Sequence, residues 1–446
     1  MARTELGTNF EARTHRYLDQ SMDPGIGAGP VPETMVYDDA GEPRRLTEFH
    51  FGRLRRKLKI FRWLERIDFD SFIDIASGWD HVPHLVHARY GVPAYYSDMV
   101  HRMNLPLDGP ELGKLDHAVT FRLPRLPFRD GAFDVVLCSE VFEHLVRPVE
   151  ALAELVRVTG KCLILTSLEA LSVDGRQRWW SHHRVDVRVP HIERNFLLLS
   201  EFEALVGADV HHENLLFNPD SPVSPFASAA ARRDAYAALS DRAALEAALC
   251  RAVAETRHGD GAMGILLVKT QPGVRIRERA DGDIELARWL IEQAAWEERY
   301  KYLVMNLAVT YQRNLAPFPQ EVADALRTRP VAAELRARLA CPDCRGELDA
   351  DGRGLRCRRC GHAFASDLGV PILYPQDAVD DDALAAESAR RLCGDDPARL
   401  RSVRRLMRRL RRNERPPTVA RRAAWWAARR LGVGPVAAHD PPGGMD

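Results

Sequence analysis

Residues 126–166 read LPFRDGAFDVVLCSEVFEHLVRPVEALAELVRVTGKCLILT, and this stretch decides the fold. Phe133 to Cys138 is a short continuous apolar run, which is typical of a strand that is buried on both faces of a sheet. Apolar residues then recur at helical spacing from Val149 to Val156 behind Pro148, and a second apolar run covers Cys162 to Leu165. The stretch therefore predicts a strand, a helix and a further strand of an open α/β sheet.

Polar residues gather where the first of these strands ends. Ser139, Glu140, Glu143 and His144 all follow the apolar run directly. Open α/β sheets bind their ligands in the crevice at the carboxyl ends of the strands. We therefore expect a ligand site at this end of the sheet.

An upstream segment predicts the first strand of the same sheet. Phe72 to Ile75 is apolar apart from Asp74, and it leads into the small residues 76–78 before a predicted helix. A strand-to-helix turn of small residues lets the backbone approach a ligand closely and aims unpaired helix amides at it.

Four motifs together resemble the class I S-adenosylmethionine (SAM)-dependent methyltransferases, in particular the type 11 group that includes the C-methyltransferases of ubiquinone and menaquinone synthesis. They are LPF at 126–128, Asp130-Gly131, FDVV at 133–136 and the pair Glu143-His144. The resemblance implies an α/β fold with a Rossmann-like seven-stranded sheet whose last strand is antiparallel. It also implies that SAM is the methyl donor.

The resemblance implies where the cofactor binds. Asp98, twenty residues after Gly78, stands where the family has an acid that accepts hydrogen bonds from both ribose hydroxyls. The implied cofactor-binding residues are Asp74, Ala76, Ser77, Gly78, Asp98, Met99, Leu123, Ser139 and Glu140. The turn departs from the family's glycine-rich pattern, because Ala76 and Asp80 occupy positions that are usually glycine.

After the fifth strand the family usually builds a substrate lid, and residues 168–207 are rich in histidine and tryptophan here. Imidazole titrates near neutral pH and can accept a proton from a nucleophile, so this segment holds candidate bases. The candidates are Glu169, His182, His183 and His191. The resemblance favours His191, which precedes the last helix, and it is paired with Glu140 as the candidate catalytic set. The alternative for each histidine is a purely structural role.

Two CxxC pairs lie near the carboxyl end, with Cys341 and Cys344 separated by twelve residues from Cys357 and Cys360. Four thiolates at this spacing predict one tetrahedral, structural zinc ion (Zn2+). Residues 335–374 resemble the small zinc-ribbon protein that partners several tRNA, rRNA and release-factor methyltransferases. The resemblance implies a scaffold or a substrate-docking lobe fused to the enzyme. The alternative is a unit that only stabilises the fold and does not contact substrate.

The chain divides by composition into five parts: an N-terminal arm at 1–44, a methyltransferase domain at 45–272 with a helical insertion at 218–261, a helical connector at 273–334, the zinc ribbon at 335–376, and an acidic-then-basic tail at 377–446. The first helix, from Leu46 to Ile67, carries Arg53, Arg55, Arg56 and Lys57, which we expect on a solvated face. In the tail, Leu400, Val403, Met407 and Leu410 fall on one helical face among arginines. Such a helix binds RNA phosphates or an anionic membrane surface, or it docks on its own acidic segment.

Length and charge limit the classes of function. With 446 residues, 46% of them hydrophobic, the chain can hold two or three domains, and a formal net charge of zero gives no global attraction to nucleic acid or membrane. No run of residues is long and apolar enough for a signal peptide or a membrane span, so we expect a cytoplasmic protein.

Methyl transfer from a sulfonium is a direct displacement, so the enzyme mainly has to align the reacting atoms. An Asn/Asp-Pro-Pro-aromatic motif, expected when an amide or exocyclic amine attacks, does not follow the fourth strand. The prediction is therefore methyl transfer to an oxygen or carbon atom of a small-molecule acceptor. One alternative is an RNA or translation-factor methyltransferase that docks through the ribbon and the arginine-rich tail. The other is a non-catalytic zinc-ribbon interaction protein on a degenerate sheet.

Overall fold

The structure is a computed structural model. It describes residues 48–77, 82–99, 104, 109–139, 141–142, 145, 147–167, 205–206, 210–214, 242–254, 264–269, 283–293, 320–352, 354–375 and 381–411. The predicted N-terminal arm and most of the predicted lid, including Glu169, His182, His183 and His191, lie outside these residues.

The first part of the chain builds one twisted sheet and the helices that cover it. Its strands are β1 (Phe72–Ile75), β2 (Ala94–Asp98), β3 (Ala118–Phe121), β4 (Phe133–Ser139), β5 (Thr159–Ser167), β6 (Val210–Asn214) and β7 (Gly264–Lys269). Its helices are α1 (Glu48–Leu64), α2 (Val82–Tyr90), α3 (Pro148–Val158) and α4 (Arg242–Ala254), with a 3-10 helix at Gly109–His117 and a further helical stretch at 283–293.

These seven strands lie in the order β3-β2-β1-β4-β5-β7-β6. β7 runs antiparallel to β5 and β6, while β3, β2, β1, β4 and β5 are parallel. The predicted seven-stranded sheet with an antiparallel last strand is confirmed. The chain order reverses between β1 and β4, and ligands of open α/β sheets bind at such a switch point.

Both faces of the sheet are buried, which explains the continuous apolar run of β4. Val136 and Cys138 lie in one core cluster together with the apolar side of α3. Val135 and Leu137 lie in a second cluster with α1, α2, α4 and the helical residues 283–293. Successive side chains of a strand point to opposite faces, so a strand covered on both faces needs apolar residues at every position.

The second part of the chain contains the ribbon and two tail helices. Its strands are β8 (Leu348–Asp351), β9 (Gly354–Cys357), β10 (Ala363–Phe364), β11 (Ser366–Asp367) and β12 (Val370–Leu373), and its helices are α5 (Gln320–Arg327), α6 (Ala333–Arg338), α7 (Asp381–Cys393) and α8 (Pro397–Arg411). β8, β9 and β10 form a small antiparallel sheet.

The ribbon also extends the large sheet. β12 pairs in parallel with β3, with Ile372 opposite Thr120 and Leu373 opposite Phe121, and β11 pairs with β12. The sheet thus has nine strands. An exposed strand edge presents unpaired backbone groups to solvent and to other chains, and β12 covers that edge of β3.

The tail helices are buried against the same face of the sheet as the ribbon. α7 packs on α3, and α8 packs on α7. Val403, Leu406 and Met407 are buried in the core cluster that includes α3, and Leu400 packs against it. The predicted shared helical face of Leu400, Val403 and Met407 is confirmed, and it lies in the core of the protein.

The prediction of a solvated basic face on α1 is wrong for two of its residues. Arg55 and Lys57 are each 3% exposed, whereas Arg56 is half-buried. α1 contacts both α4 and β7, elements from distant parts of the chain whose packing local periodicity does not reveal. Long basic side chains tolerate burial because their methylene stems pack as apolar groups. Among the described helices, none combines the length and the apolar character that crossing a bilayer would require.

Candidate cofactor site and zinc centre

Ser97 joins the carboxyl ends of β1 and β2 by hydrogen bonds. Its hydroxyl donates to the carbonyl of Asp74 at 2.9 Å and accepts from the backbone N–H of Ala76 at 3.2 Å. Its carbonyl accepts from the Ser77 N–H at 2.7 Å and from the Ser77 hydroxyl at 3.2 Å. These hydrogen bonds fix the turn after β1 against β2.

Ala76 has a backbone φ of +59°. This is the left-handed region, which costs an L-residue roughly 1–2 kcal/mol and which glycine adopts freely. Ala76 stands where the resembling family usually has glycine, so the turn keeps the glycine conformation without the glycine. The next predicted position, Gly78, lies outside the described residues.

Asp98 is the last residue of β2 and is 8% exposed. Asn104, which is fully buried, donates through Nδ2 to the Asp98 carbonyl at 3.0 Å and to the Thr120 hydroxyl on β3 at 2.9 Å. The next residue, Met99, accepts a hydrogen bond from Tyr374. Sequence reasoning missed Asn104 because an asparagine in a polar connection carries no distinguishing pattern.

The ends of β4 and β5 meet in a pair of hydroxyls. Ser139 Oγ and Thr166 Oγ1 are 2.7 Å apart. Ser139 is the last residue of β4, and β4 lies next to β1 in the sheet. Ser139 is therefore on the strand adjacent to the one that leads into the turn of residues 75–77. Leu123 follows β3 and packs partly buried against the core. Glu140, Glu143 and His144 lie outside the described residues.

The structure thus brings five predicted residues to the adjacent ends of β1 and β2: Asp74, Ala76, Ser77, Asp98 and Met99. An acid at the end of β2 and a tight small-residue turn after β1 suit a ribose and the methionine part of a SAM molecule. The residues present therefore fit this cofactor. The fit concerns binding, since the candidate bases Glu140 and His191 lie outside the described residues.

The four predicted zinc ligands form one cluster. Cys341, Cys344, Cys357 and Cys360 place their sulfur atoms within 4.8 Å of one another. Cys341 Sγ is 3.7 Å from Cys360 Sγ, and Cys344 Sγ is 3.4 Å from Cys357 Sγ. A disulfide requires about 2.05 Å. Ligands at about 2.3 Å from a tetrahedral zinc ion lie about 3.8 Å apart, so the cluster fits Zn2+.

Backbone groups support this cluster. The N–H groups of Arg359 and Cys360 donate to Cys357 Sγ at 3.4 and 3.5 Å. Burial opposes ionisation of this thiol, but these hydrogen bonds and the neighbouring thiols lower the pKa of Cys357 to about 7. A Cβ at Gly346 would lie 2.8 Å from Cys357 Sγ, so only glycine fits beside the thiols.

The ribbon docks on the LPF motif that identified the methyltransferase-like region. Pro127 accepts a hydrogen bond from the Ala340 N–H at 2.9 Å, and Phe128 forms a β-bridge with Leu339. Arg338 donates to the Tyr95 hydroxyl at 3.1 Å and also to the Ala132 carbonyl. The loop between β3 and β4 is therefore a docking surface for the segment that leads into the ribbon.

A buried ion network joins α3 to the first zinc knuckle. Glu154, whose side chain is 4% exposed, accepts hydrogen bonds from Arg157 at 2.9 Å and from Arg345, next to Cys344, at 2.6 Å. Burial acts to raise the pKa of Glu154, but the hydrogen bonds and charges of Arg157 and Arg345 outweigh it and hold that pKa below its usual value. Glu154 therefore binds the ribbon as a carboxylate.

The strand order and the antiparallel β7 match the fold that the resemblance to class I SAM-dependent methyltransferases implies. Comparison with family models agrees, because residues 88–162 match a type 11 methyltransferase domain. Residues 338–365 match the Trm112p-like protein family. The chain therefore carries a SAM-dependent methyltransferase domain fused to a Trm112p-like zinc ribbon.

Solved structures with a similar fold include the following three. One is a SAM-dependent methyltransferase from Thermotoga maritima, at 15% identity, covering 50% of this chain and 93% of that chain with a TM-score of 0.33. Another contains the Haloferax volcanii Trm112 methyltransferase activator, at 13% identity, 53% and 99% coverage and a TM-score of 0.30. The third is geranyl diphosphate C-methyltransferase from Streptomyces coelicolor, at 14% identity, 55% and 91% coverage and a TM-score of 0.31. A search of curated proteins gives no match.

Proposed function

We propose that this protein transfers the methyl group of SAM to an oxygen or carbon atom of a small-molecule acceptor. The observation that carries the proposal is the position of Asp98, a nearly buried acid at the end of β2 beside the fixed turn after β1. An acid there is suited to accept hydrogen bonds from a ribose.

The proposed cofactor residues divide by the part of SAM that they would hold. Asp98 and Met99 serve the ribose end, Leu123 the adenine, and Asp74, Ala76, Ser77, Gly78, Ser139 and Glu140 the methionine end. When bound, SAM supplies an electrophilic methyl group on a sulfonium. The chain's own task is to orient the acceptor and exclude water, with His191 as the proposed base where an acceptor needs deprotonation.

The choice of oxygen or carbon rests on the residues after β4. They read Ser139-Glu140-Val141-Phe142-Glu143-His144, without the Pro-Pro-aromatic arrangement expected for attack by an amide or exocyclic amine. The alternative acceptor is an RNA or a translation factor, and the exposed arginines of α8 favour that alternative. The zinc ribbon is proposed to stabilise the enzyme through its Cys341, Cys344, Cys357 and Cys360 site, and the proposed location is the cytoplasm, where thiolates stay reduced.

Calorimetric titration with S-adenosylhomocysteine tests the cofactor part. The zinc-loaded wild type should bind it, and Asp98→Ala should raise the Kd about 10- to 100-fold, because hydrogen bonds to charged groups contribute about 1.5–3 kcal/mol. Asp70→Ala is the matched control, since the Asp70 side chain is 97% exposed and should leave the Kd unchanged. A folded wild type that fails to bind would favour the non-catalytic interaction protein.

The acceptor part needs a separate measurement. The wild type is incubated with SAM labelled in its methyl group and with metabolite, RNA and protein fractions in parallel. Label in the metabolite fraction, on oxygen or carbon, supports the proposal. Label in RNA or protein would replace it with the alternative.

A further inference from the structure

Helix α8 concentrates positive charge in a chain whose formal net charge is zero. From Pro397 to Arg411 it contains seven arginines and no acidic residue. The opposite charges that balance the chain therefore lie elsewhere. This uneven distribution of charge creates a positive potential around α8 even though the net charge of the protein is zero.

The fold fixes which arginines face solvent. Val403, Leu406 and Met407 are buried in the core, and Arg401, Arg404, Arg405 and Arg408 are exposed on the other side. These four residues, here called the arginine stripe, follow one another at the i, i+3, i+4, i+7 spacing of one helical face. At 1.5 Å per residue the stripe is about 10 Å long.

Several exposed arginines elsewhere in the described residues have acidic partners, whereas Arg251, Arg359 and Arg390 stand singly without one. Arg327 pairs with Asp324, Arg356 with Asp351, and Arg358 with Asp349 and Glu347. Within the described part of the chain, no acid lies within ion-pair distance of the arginine stripe, where the one contact is an Arg408 Nε hydrogen bond to the Arg404 carbonyl at 3.4 Å. Within the described residues, the stripe thus presents positive charge without an acidic partner.

The occupant follows from what surrounds the stripe. A membrane-surface helix must insert its apolar face into lipid, and here that face is already buried in the protein core. Protein partners usually bind to apolar or aromatic anchors. Between residues 401 and 408, however, the exposed side chains are those of the arginine stripe and of Ser402. Guanidinium groups in a row bind phosphate oxygens with paired hydrogen bonds.

We propose that the arginine stripe of α8 binds the phosphodiester backbone of RNA. The inference goes beyond the proposed function, because binding by the stripe requires neither SAM nor methyl transfer. Backbone contacts position a nucleic acid without reading its sequence, so the binding is sequence-tolerant.

Fluorescence anisotropy with a labelled single-stranded uridine 20-mer tests this proposal on the full, zinc-loaded chain. The triple variant Arg401→Gln, Arg404→Gln, Arg405→Gln removes three charges of the stripe. The matched control Arg327→Gln, Arg356→Gln, Arg358→Gln removes three exposed charges that have acidic partners, so the net charge of the two variants is equal. A third variant places lysine at 401, 404 and 405 and keeps the charge.

The wild type should bind with an affinity that falls as salt rises. The stripe variant should bind at least about tenfold more weakly, with a log–log salt slope smaller by about 2, since each single-strand phosphate contact adds about 0.7. The control should stay within about twofold of wild type. The lysine variant should bind between wild type and the stripe variant, because lysine keeps the charge but cannot form the paired hydrogen bonds of a guanidinium group. Melting curves verify that each variant is folded.

Three results would overturn the proposal. The first is a folded wild type that does not bind the 20-mer. The second is an equal loss in the stripe and control variants, which would assign binding to net charge. The third is a preference for phosphatidylserine vesicles over RNA, which would assign the stripe to a lipid surface.

Discussion

The hydroxyl of Tyr374 donates a 2.6 Å hydrogen bond to the backbone carbonyl of Met99. Tyr374 directly follows β12 of the zinc ribbon, and Met99 directly follows Asp98, the proposed ribose acid. The pairing of Ile372 with Thr120 brings the ribbon to the same place, because Asn104 donates one hydrogen bond to the Thr120 hydroxyl and another to the Asp98 carbonyl. The ribbon therefore directly contacts the end of the sheet where we propose that the cofactor binds.

Tyr374→Phe should raise the Kd for S-adenosylhomocysteine about 2- to 10-fold. One hydrogen bond contributes about 0.5–1.5 kcal/mol, and its loss frees the backbone after Asp98. Calorimetry measures the Kd. Tyr95→Phe is the control, since it loses the Arg338 contact at 3.1 Å between the same two parts of the chain. If both variants change the Kd equally, Tyr374 acts only through overall stability.

Removal of zinc should destabilise the sheet domain as well as the ribbon. Without the metal the knuckles lose their cross-link, and β12 then no longer covers the edge of β3. We expect about one zinc per wild-type chain by mass spectrometry, loss of most of it in Cys344→Ser, and a lower melting temperature after chelation. Cys250→Ser, outside the cluster, should keep full zinc content. An unchanged melting curve in the chelated protein would contradict the expectation.

Glu154→Gln should lower the free energy of unfolding by about 3 kcal/mol at pH 7, because it removes a buried carboxylate from the buried Arg157 and the half-buried Arg345. The folded-state pKa of Glu154 lies below its ordinary value of 4.5. Its ionic contribution is therefore present above about pH 4.5 and is lost as the pH falls through the folded-state pKa.

Melting temperatures across the pH range measure this effect. The gap between wild type and Glu154→Gln should be widest at neutral pH and should narrow in acid. Glu347→Gln is the control, because Glu347 pairs with Arg358 at the surface with a side chain 57% exposed, and such pairs contribute at most about 1 kcal/mol. A gap that is constant with pH would mean that Glu154 does not act through its charge.

Ala76→Gly should raise the free energy of unfolding by up to about 1 kcal/mol. Glycine removes the cost of the +59° φ, and its greater freedom in the unfolded chain offsets part of the gain. Ala94→Gly on β2, at an ordinary strand φ, should instead lower it by about 0.5–1 kcal/mol. Chemical denaturation compares the two. If Ala76→Gly destabilised the protein as much as Ala94→Gly, the positive φ of Ala76 would not be a source of strain.

Local sequence patterns were sufficient for several strands of the sheet and for the metal ligands. The apolar run Phe133–Cys138 predicted β4 because a strand buried on both faces needs apolar residues at each position. The CxxC spacing predicted the thiol cluster because two short knuckles suffice to present four sulfur ligands. The sequence also placed Asp98 at a strand end, because its separation of twenty residues from Gly78 can be counted along the chain.

Contacts between distant segments decided the rest. Arg55 and Lys57 are buried in a helix that contacts α4 and β7, two elements far away in the sequence. Asn104 links Asp98 at the end of β2 to Thr120 on β3, and this link depends on the pairing of the two strands. The sequence alone therefore determined strands such as β4 and β5, the helix α3 between them and the cysteine ligands, because these depend on neighbouring residues. Only the tertiary structure decided that β12 joins β3 and that Tyr374 contacts Met99, because strand pairing between remote segments depends on the packing of the whole core.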